Sequence, residues 1–166
     1  MQQLQDYAGT VYGGLGHLLY TYSQAQGLAI SDKLQQVQNL ERFDFSIWRE
    51  LLNEIAVQKA SPALGLEIAE FVQPKHLGII AYIAQSCDTL SEALARYYDF
   101  HRLIYDGSPL KVELSEHYLS IRWDKLPAHL TTQITDEISL ALMVQFLKHF
   151  LNFEHIFIHA VNFTHA

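Results

Sequence analysis

Apolar positions recur along this chain with two different periods, and the change between them falls near residue 108. Between residues 45 and 58, Ile47, Leu51, Leu52 and Ile55 repeat at the spacing of one helical face, and Asp44 stands at the N-cap position. Residues 4–26 predict an earlier helix, ended by Gly27 as C-terminal glycine and by Leu28 as its apolar contact. In "SPALGLEIAEFVQP", Ser61 is placed to cap a third helix and Pro62 to open it, because a first-turn residue can do without its N–H. Pro74 closes that helix and opens the next, which runs from His76 through Ile79, Ile80 and Ile83 to the polar break "SCDT". Thr89 with Glu92 forms a capping box for a fifth helix, ending near "YDG" at residues 105–107.

From residue 110 the period becomes two. A two-residue turn at Glu116 and His117 pairs Leu114 with Leu119, Val112 with Ile121 and Leu110 with Trp123, and this register puts all six side chains on one face of a hairpin. "TTQITDEISLALMVQFLKHFLNF" then reads as a helix apolar almost all round, with Glu137, Gln145, Lys148 and Asn152 in one narrow stripe, and such a helix is expected to lie across a sheet. "HIFIHAVNF" is expected to add a third strand. The predicted class is α+β: an N-terminal layer of about five helices on a small antiparallel sheet, the hairpin plus the third strand, with one long helix against it. The 166 residues suit a single domain, residues 1–107 forming its helical part and residues 108–166 its hairpin, helix and strand part.

Composition narrows the function. At 49% apolar and 17% charged residues the chain is expected to fold rather than remain disordered. It has no apolar run approaching the ~18 residues of a membrane span, and "MQQLQDY" lacks the basic and apolar regions of a signal peptide, so a cytoplasmic protein with no membrane partner is expected. A single cysteine precludes an internal disulfide. With 11 basic against 18 acidic side chains, a net charge of −7 and no basic run, direct nucleic-acid binding is not expected, since that rests on clustered Lys and Arg.

No catalytic group is nominated, so the chain is expected not to be an enzyme and to need no cofactor. Cys87 precedes a helix N-terminus, but Asp88 adds negative charge beside it and no base stands in a nucleophile motif, so it reads as a half-buried connector. "GGLGH" at residues 13–17 lacks the strand and the Lys-Ser/Thr of a phosphate loop and reads as a close-packing helix. His155 and His159 lie about 13 Å apart along a strand, too far to share an ion, and with His165 they read as a partly solvated sheet face. What remains is "LSEALARYYDFHRLIYDG", where Tyr97, His101 and Ile104 share one face and Tyr98, Arg102 and Tyr105 the next. Aromatic rings with a few polar tips suit a small-molecule pocket, with Trp123 as its opposite wall, and they equally suit an amphipathic helix covering the core edge.

The stretch "SPALGLEIAEFVQPKHLGIIAYIAQSCDTLSEALARYYDFHRLIYDGSPLKVE" resembles the N-terminal effector-binding domain of AraC-type transcription regulators, the arabinose-binding-like group that includes ornithine-utilisation regulators. Blocks resembling "PALGLEIA", "HLGIIAY", "TLSEALARY" and "RLIYDG" recur there in this order before a hairpin ending like "LSIRWD". The likeness extends more weakly to Gly27 upstream and to "VNFTHA" downstream. It implies a sensor for a small-molecule effector, a homodimer, and DNA contact only through a C-terminal helix-turn-helix domain, which these residues do not contain; the bare ending at "THA" fits a shortened chain. Arabinose itself is not implied as ligand. A stand-alone dimerisation or interaction module and a haem- or metal-binding sensor are the alternatives.

Overall fold

The computed structural model describes residues 7–150 and 158–163. The chain opens with a strand where a helix over residues 4–26 was expected; residues 1–6 of that span lie outside the described residues. β1 (Thr10–Tyr12) pairs antiparallel with β2 (Arg42–Asp44), setting Thr10 opposite Asp44 and Val11 opposite Phe43. Helical periodicity loses here because the backbone of Thr10 to Tyr12 finds distant partners: Thr10 N–H donates to Asp106 Oδ1 at 2.5 Å and Tyr12 N–H to the Ile104 carbonyl at 2.7 Å. α1 (Gly13–Ala25) begins directly after, within "GGLGH". A Cβ on Gly13 would collide with the Leu40 carbonyl and one on Gly16 would lie 2.6 Å from Val37, so these glycines serve close packing. Gly27 ends the segment with φ +65°.

α2 (Asp32–Val37) is capped by Ser31, whose hydroxyl accepts from Leu34 N–H. α3 (Phe45–Gln58) buries Leu51, Leu52 and Ile55 as its pattern predicts, and Ile47 is half-buried. α4 (Leu64–Ala69) starts later than Ser61 and Pro62 suggest. Ser61 is occupied elsewhere, its hydroxyl accepting from Ala63 N–H and donating to Glu67 at 2.5 Å. The first-turn N–H groups of Gly65 and Leu66 donate instead to the carboxylate of Glu137, far along the chain. The single helix expected from His76 is two, α5 (Pro74–Leu77) and α6 (Ile79–Gln85), broken at Gly78. There φ is +64° and ψ −149°, a conformation open to glycine almost alone. α7 (Leu90–Phe100) starts at Thr89, which accepts from Glu92 N–H as predicted, while the Glu92 carboxylate reaches back to Asp88 N–H. A 3-10 turn, His101–Leu103, follows.

The hairpin of β3 (Leu110–Leu114) and β4 (Leu119–Trp123) has the register its alternation predicts: Leu110 opposite Trp123, Val112 opposite Ile121, Leu114 opposite Leu119. Only one end reaches the core, since Leu110 is 3% exposed and Leu114 77%. α8 (Gln133–Gln145), continued by a π-helical turn Phe146–Phe150, packs chiefly along α4 and not across a sheet. Its nearly unbroken apolar surface serves two contacts, α4 on one side and a cavity on the other. The third strand is also corrected: residues 158–163 are exposed and without strand structure, residues 155–157 lying outside the described ones. The class is α+β as expected, with two separate two-stranded antiparallel sheets in place of one sheet of three. The buried side chains form one cluster from Ala8 to Phe146.

Candidate ligand site

Where the helices meet the hairpin, the chain encloses a cavity of about 380 Å³. β1 and α1 contribute the buried Val11 and Leu15, and α3 presents Phe45 and Trp48 one turn apart on its inner face. α7 supplies Tyr97, whose ring lies 4.9 Å from that of Phe146 at the end of α8. Trp123 closes the hairpin side, and the exposed Arg122, Asp124 and Lys125 form a rim with Asn162 and Phe163. The rim charges are partly committed, Arg122 to Glu113 at 2.7 Å and Asp124 to Lys111 at 2.6 Å.

Four of the six residues singled out from sequence meet at this cavity: Tyr97, His101, Tyr105 and Trp123. Tyr98 and Arg102 do not. Tyr98 is 50% exposed and lines a separate groove between α7 and β3, while Arg102 is exposed and its carbonyl accepts from Arg42. Tyr98 already stands on the exposed side of α7, and what sets Tyr105 apart from it is the 3-10 turn after Phe100. Its three residues per turn break the helical projection and carry Tyr105 round to the Tyr97 side. Tyr105 is fixed there by a bridge to Val11 and by its hydroxyl, which donates to the Ala8 carbonyl at 2.8 Å. Arg42 holds the same connector, donating to the carbonyls of Arg102 and Leu103 at the end of the turn and to Thr10 Oγ1.

His101 lines the cavity with both ring nitrogens in use. Leu110 N–H donates to Nε2 at 3.4 Å, so the proton sits on Nδ1 and is donated to the Tyr98 carbonyl at 2.6 Å. This histidine ties the 3-10 turn to the start of β3. Burial pushes the Tyr97 and Tyr105 hydroxyls well above the ordinary phenol range, which keeps both as O–H groups.

Trp48, Phe45 and Phe146 escape sequence reasoning because each reads as core. The signal for Phe146 is the all-round apolarity of α8, a sign that two of its sides are covered. Three aliphatic hydroxyls of the wall are spent locally: Ser108 donates to the Asp124 carbonyl, Thr135 to the Thr132 carbonyl and Ser139 to the Thr135 carbonyl. With each of these protons already given to a backbone carbonyl, the wall presents none of the three as a poised nucleophile. Cys87 is half-buried away from the cavity, its thiol donating to the Ile83 carbonyl at 3.3 Å and pushed up chiefly by burial and then by Glu92. His159 is exposed, and His155 and His165 lie outside the described residues. Among the described residues no three His, Cys, Asp or Glu side chains gather to hold a metal, and no helix is long and apolar enough to cross a membrane.

No curated protein matches the chain at a significant level. Residues 26–166, which include most of the cavity wall, match the family described as the arabinose-binding domain of AraC transcription regulator, N-term, a family of regulatory ligand-binding domains rather than of enzymes. With that match covering most of its length, the chain belongs to the family of N-terminal arabinose-binding domains of AraC transcription regulators.

Proposed function

We propose that residues 1–166 form a single sensor unit whose cavity takes the effector of a transcription regulator. The observation that carries this reading is the cavity itself, about 380 Å³ walled by Trp48, Tyr97, Tyr105 and Trp123, in a chain of a ligand-binding regulatory family. Its volume falls within the ~300–1,000 Å³ usual for small-molecule sites. An occupant would touch β1, α1, α3, α7, β4 and α8 together, so it would favour whichever relative arrangement of these elements it fits best. That bias is the signal passed to a helix-turn-helix segment C-terminal to the sensor, which the acidic charge of this chain leaves as the part that touches DNA. A cytoplasmic homodimer of the ornithine-utilisation-regulator group is the setting we propose.

Thermal unfolding against separate sets of amino acids, polyamines, sugars, aromatic compounds, fatty acids and nucleotides tests this. A ligand at a hundred times its dissociation constant should add ~2.7 kcal/mol to the folded state. Absence of stabilisation by every class would overturn the sensor reading.

A further inference from the structure

The polar inventory of the cavity wall narrows the class of molecule it can hold. A sugar carries a hydroxyl on most of its carbons, and each must find a partner when buried or cost desolvation energy. Of the wall residues with polar side-chain atoms, the buried His101, Ser108 and Thr135 and the half-buried Tyr105 and Asp136 already interact within the protein. Trp48 and Tyr97 are different. They are 3% and 8% exposed, both line the cavity, and neither the indole N–H nor the phenol O–H has a hydrogen-bond partner among the described residues. The indole nitrogen can only donate, and the phenol stays protonated, so both ask for an acceptor. The wall's cations, Arg122 and Lys125, are exposed at the rim, which leaves a buried carboxylate without a counter-charge.

Resting on the sensor reading above, we propose that the effector is an uncharged, largely apolar carbonyl compound, with an aryl or alkyl body among Leu15, Phe45 and Phe146 and its carbonyl oxygen accepting from Tyr97 or Trp48, and that it is not a sugar. An engineered cavity of about 150 Å³ admits benzene, so the larger volume here takes a ring with a chain.

Isothermal titration calorimetry on the 166-residue chain tests this with propiophenone, propylbenzene, hydrocinnamate and L-arabinose. Propiophenone should bind about three- to tenfold tighter than propylbenzene, the worth of one neutral hydrogen bond. Tyr97→Phe or Trp48→Phe should draw that ratio toward one, whatever either does to the affinity for propylbenzene itself, and the second variant serves if the first does not fold. L-arabinose and hydrocinnamate should give no saturable heat. If L-arabinose or hydrocinnamate binds in competition with propiophenone, the cavity is the effector site and the ligand class proposed here is wrong. Equal affinities for propiophenone and propylbenzene in the wild type also overturn the class. If none of the four binds and no compound in the thermal screen stabilises the fold, the sensor reading falls with it.

Discussion

His76 should make this fold acid-sensitive well above the carboxylate range. The residue is 0% exposed, and Nδ1 accepts from Gln73 N–H at 3.0 Å, which places the neutral ring's proton on Nε2, a buried atom with no partner among the described residues. A second proton would put a charge in the core, and burial, with His17 (ring centroids 5.4 Å away) and Lys75, pushes the pKa from 6.5 down to about 4. A depressed histidine binds its proton more weakly in the folded than in the unfolded state. The stability it protects is therefore whole above pH ~6.5 and falls as the pH drops from there toward 4. Linkage between those two values gives a loss of about 2 kcal/mol between pH 7 and pH 5, and at roughly 2–4 °C per kcal/mol for a chain of this size the melting temperature drops by about 4–8 °C. Urea unfolding followed by circular dichroism at pH 7, 6 and 5, on the wild type and on His76→Phe, isolates the effect. The variant loses a hydrogen bond to Gln73 and starts lower at pH 7, but it should lose about 2 kcal/mol less than the wild type on going to pH 5. Parallel pH profiles for the two proteins would refute the assignment.

Three further outcomes follow from particular contacts. His101→Leu removes two hydrogen bonds and orphans the Leu110 N–H, so unfolding free energy should fall by about 1–3 kcal/mol in a urea titration, and an unchanged midpoint would show that His101 does not tie the 3-10 turn to β3. In Gly65→Ala the new Cβ would lie 2.9 Å from the Ile138 backbone nitrogen, so α4 and α8 must separate at about 1–3 kcal/mol; a melting temperature equal to the wild type would contradict that packing. Glu137 is pushed above the ordinary carboxylate range by burial despite accepting from Gly65 and Leu66, so its ionisation opposes folding as the pH rises through that range. Glu137→Gln keeps an acceptor without the charge; it should be at least as stable as the wild type at pH 7 with the gap closing by pH 4, and a gap that widens on acidification would reverse the sign.

The hairpin was legible to the residue because a two-residue turn and period-two alternation leave one register that puts Leu110, Val112 and Ile121 on a common face. β1 was not, since Thr10 to Tyr12 carry no local strand signal stronger than the surrounding helical period, and only pairing with residues 42–44 and Asp106 decides their state. Gly78 stood in view as a helix breaker, but the deciding neighbour is the Tyr12 ring, within 3.1 Å of where a Cβ would be, and the chain order does not reveal it. The expected third strand shows the converse, an alternating pattern that gives no strand over residues 158–163. At the site, helical projection puts Tyr97, His101 and Ile104 on one face, and all three line the cavity; it puts Tyr105 with Tyr98 and Arg102, from which a 3-10 turn of different period separates it. Trp48 and Phe146 carry no polar signal that separates a cavity wall from a packed core.

Both tryptophans of this chain, Trp48 and Trp123, line the cavity, so its intrinsic fluorescence reports on that space and little else. The most direct measurement is to titrate a compound that stabilises the fold while recording tryptophan emission, in the wild type and in Trp48→Phe and Trp123→Phe. A ligand seated in the cavity should shift the emission with the same dissociation constant that calorimetry gives, and each variant should lose part of the response. Saturable binding with unchanged emission in the wild type would place the effector elsewhere on the protein and contradict the assignment of this cavity.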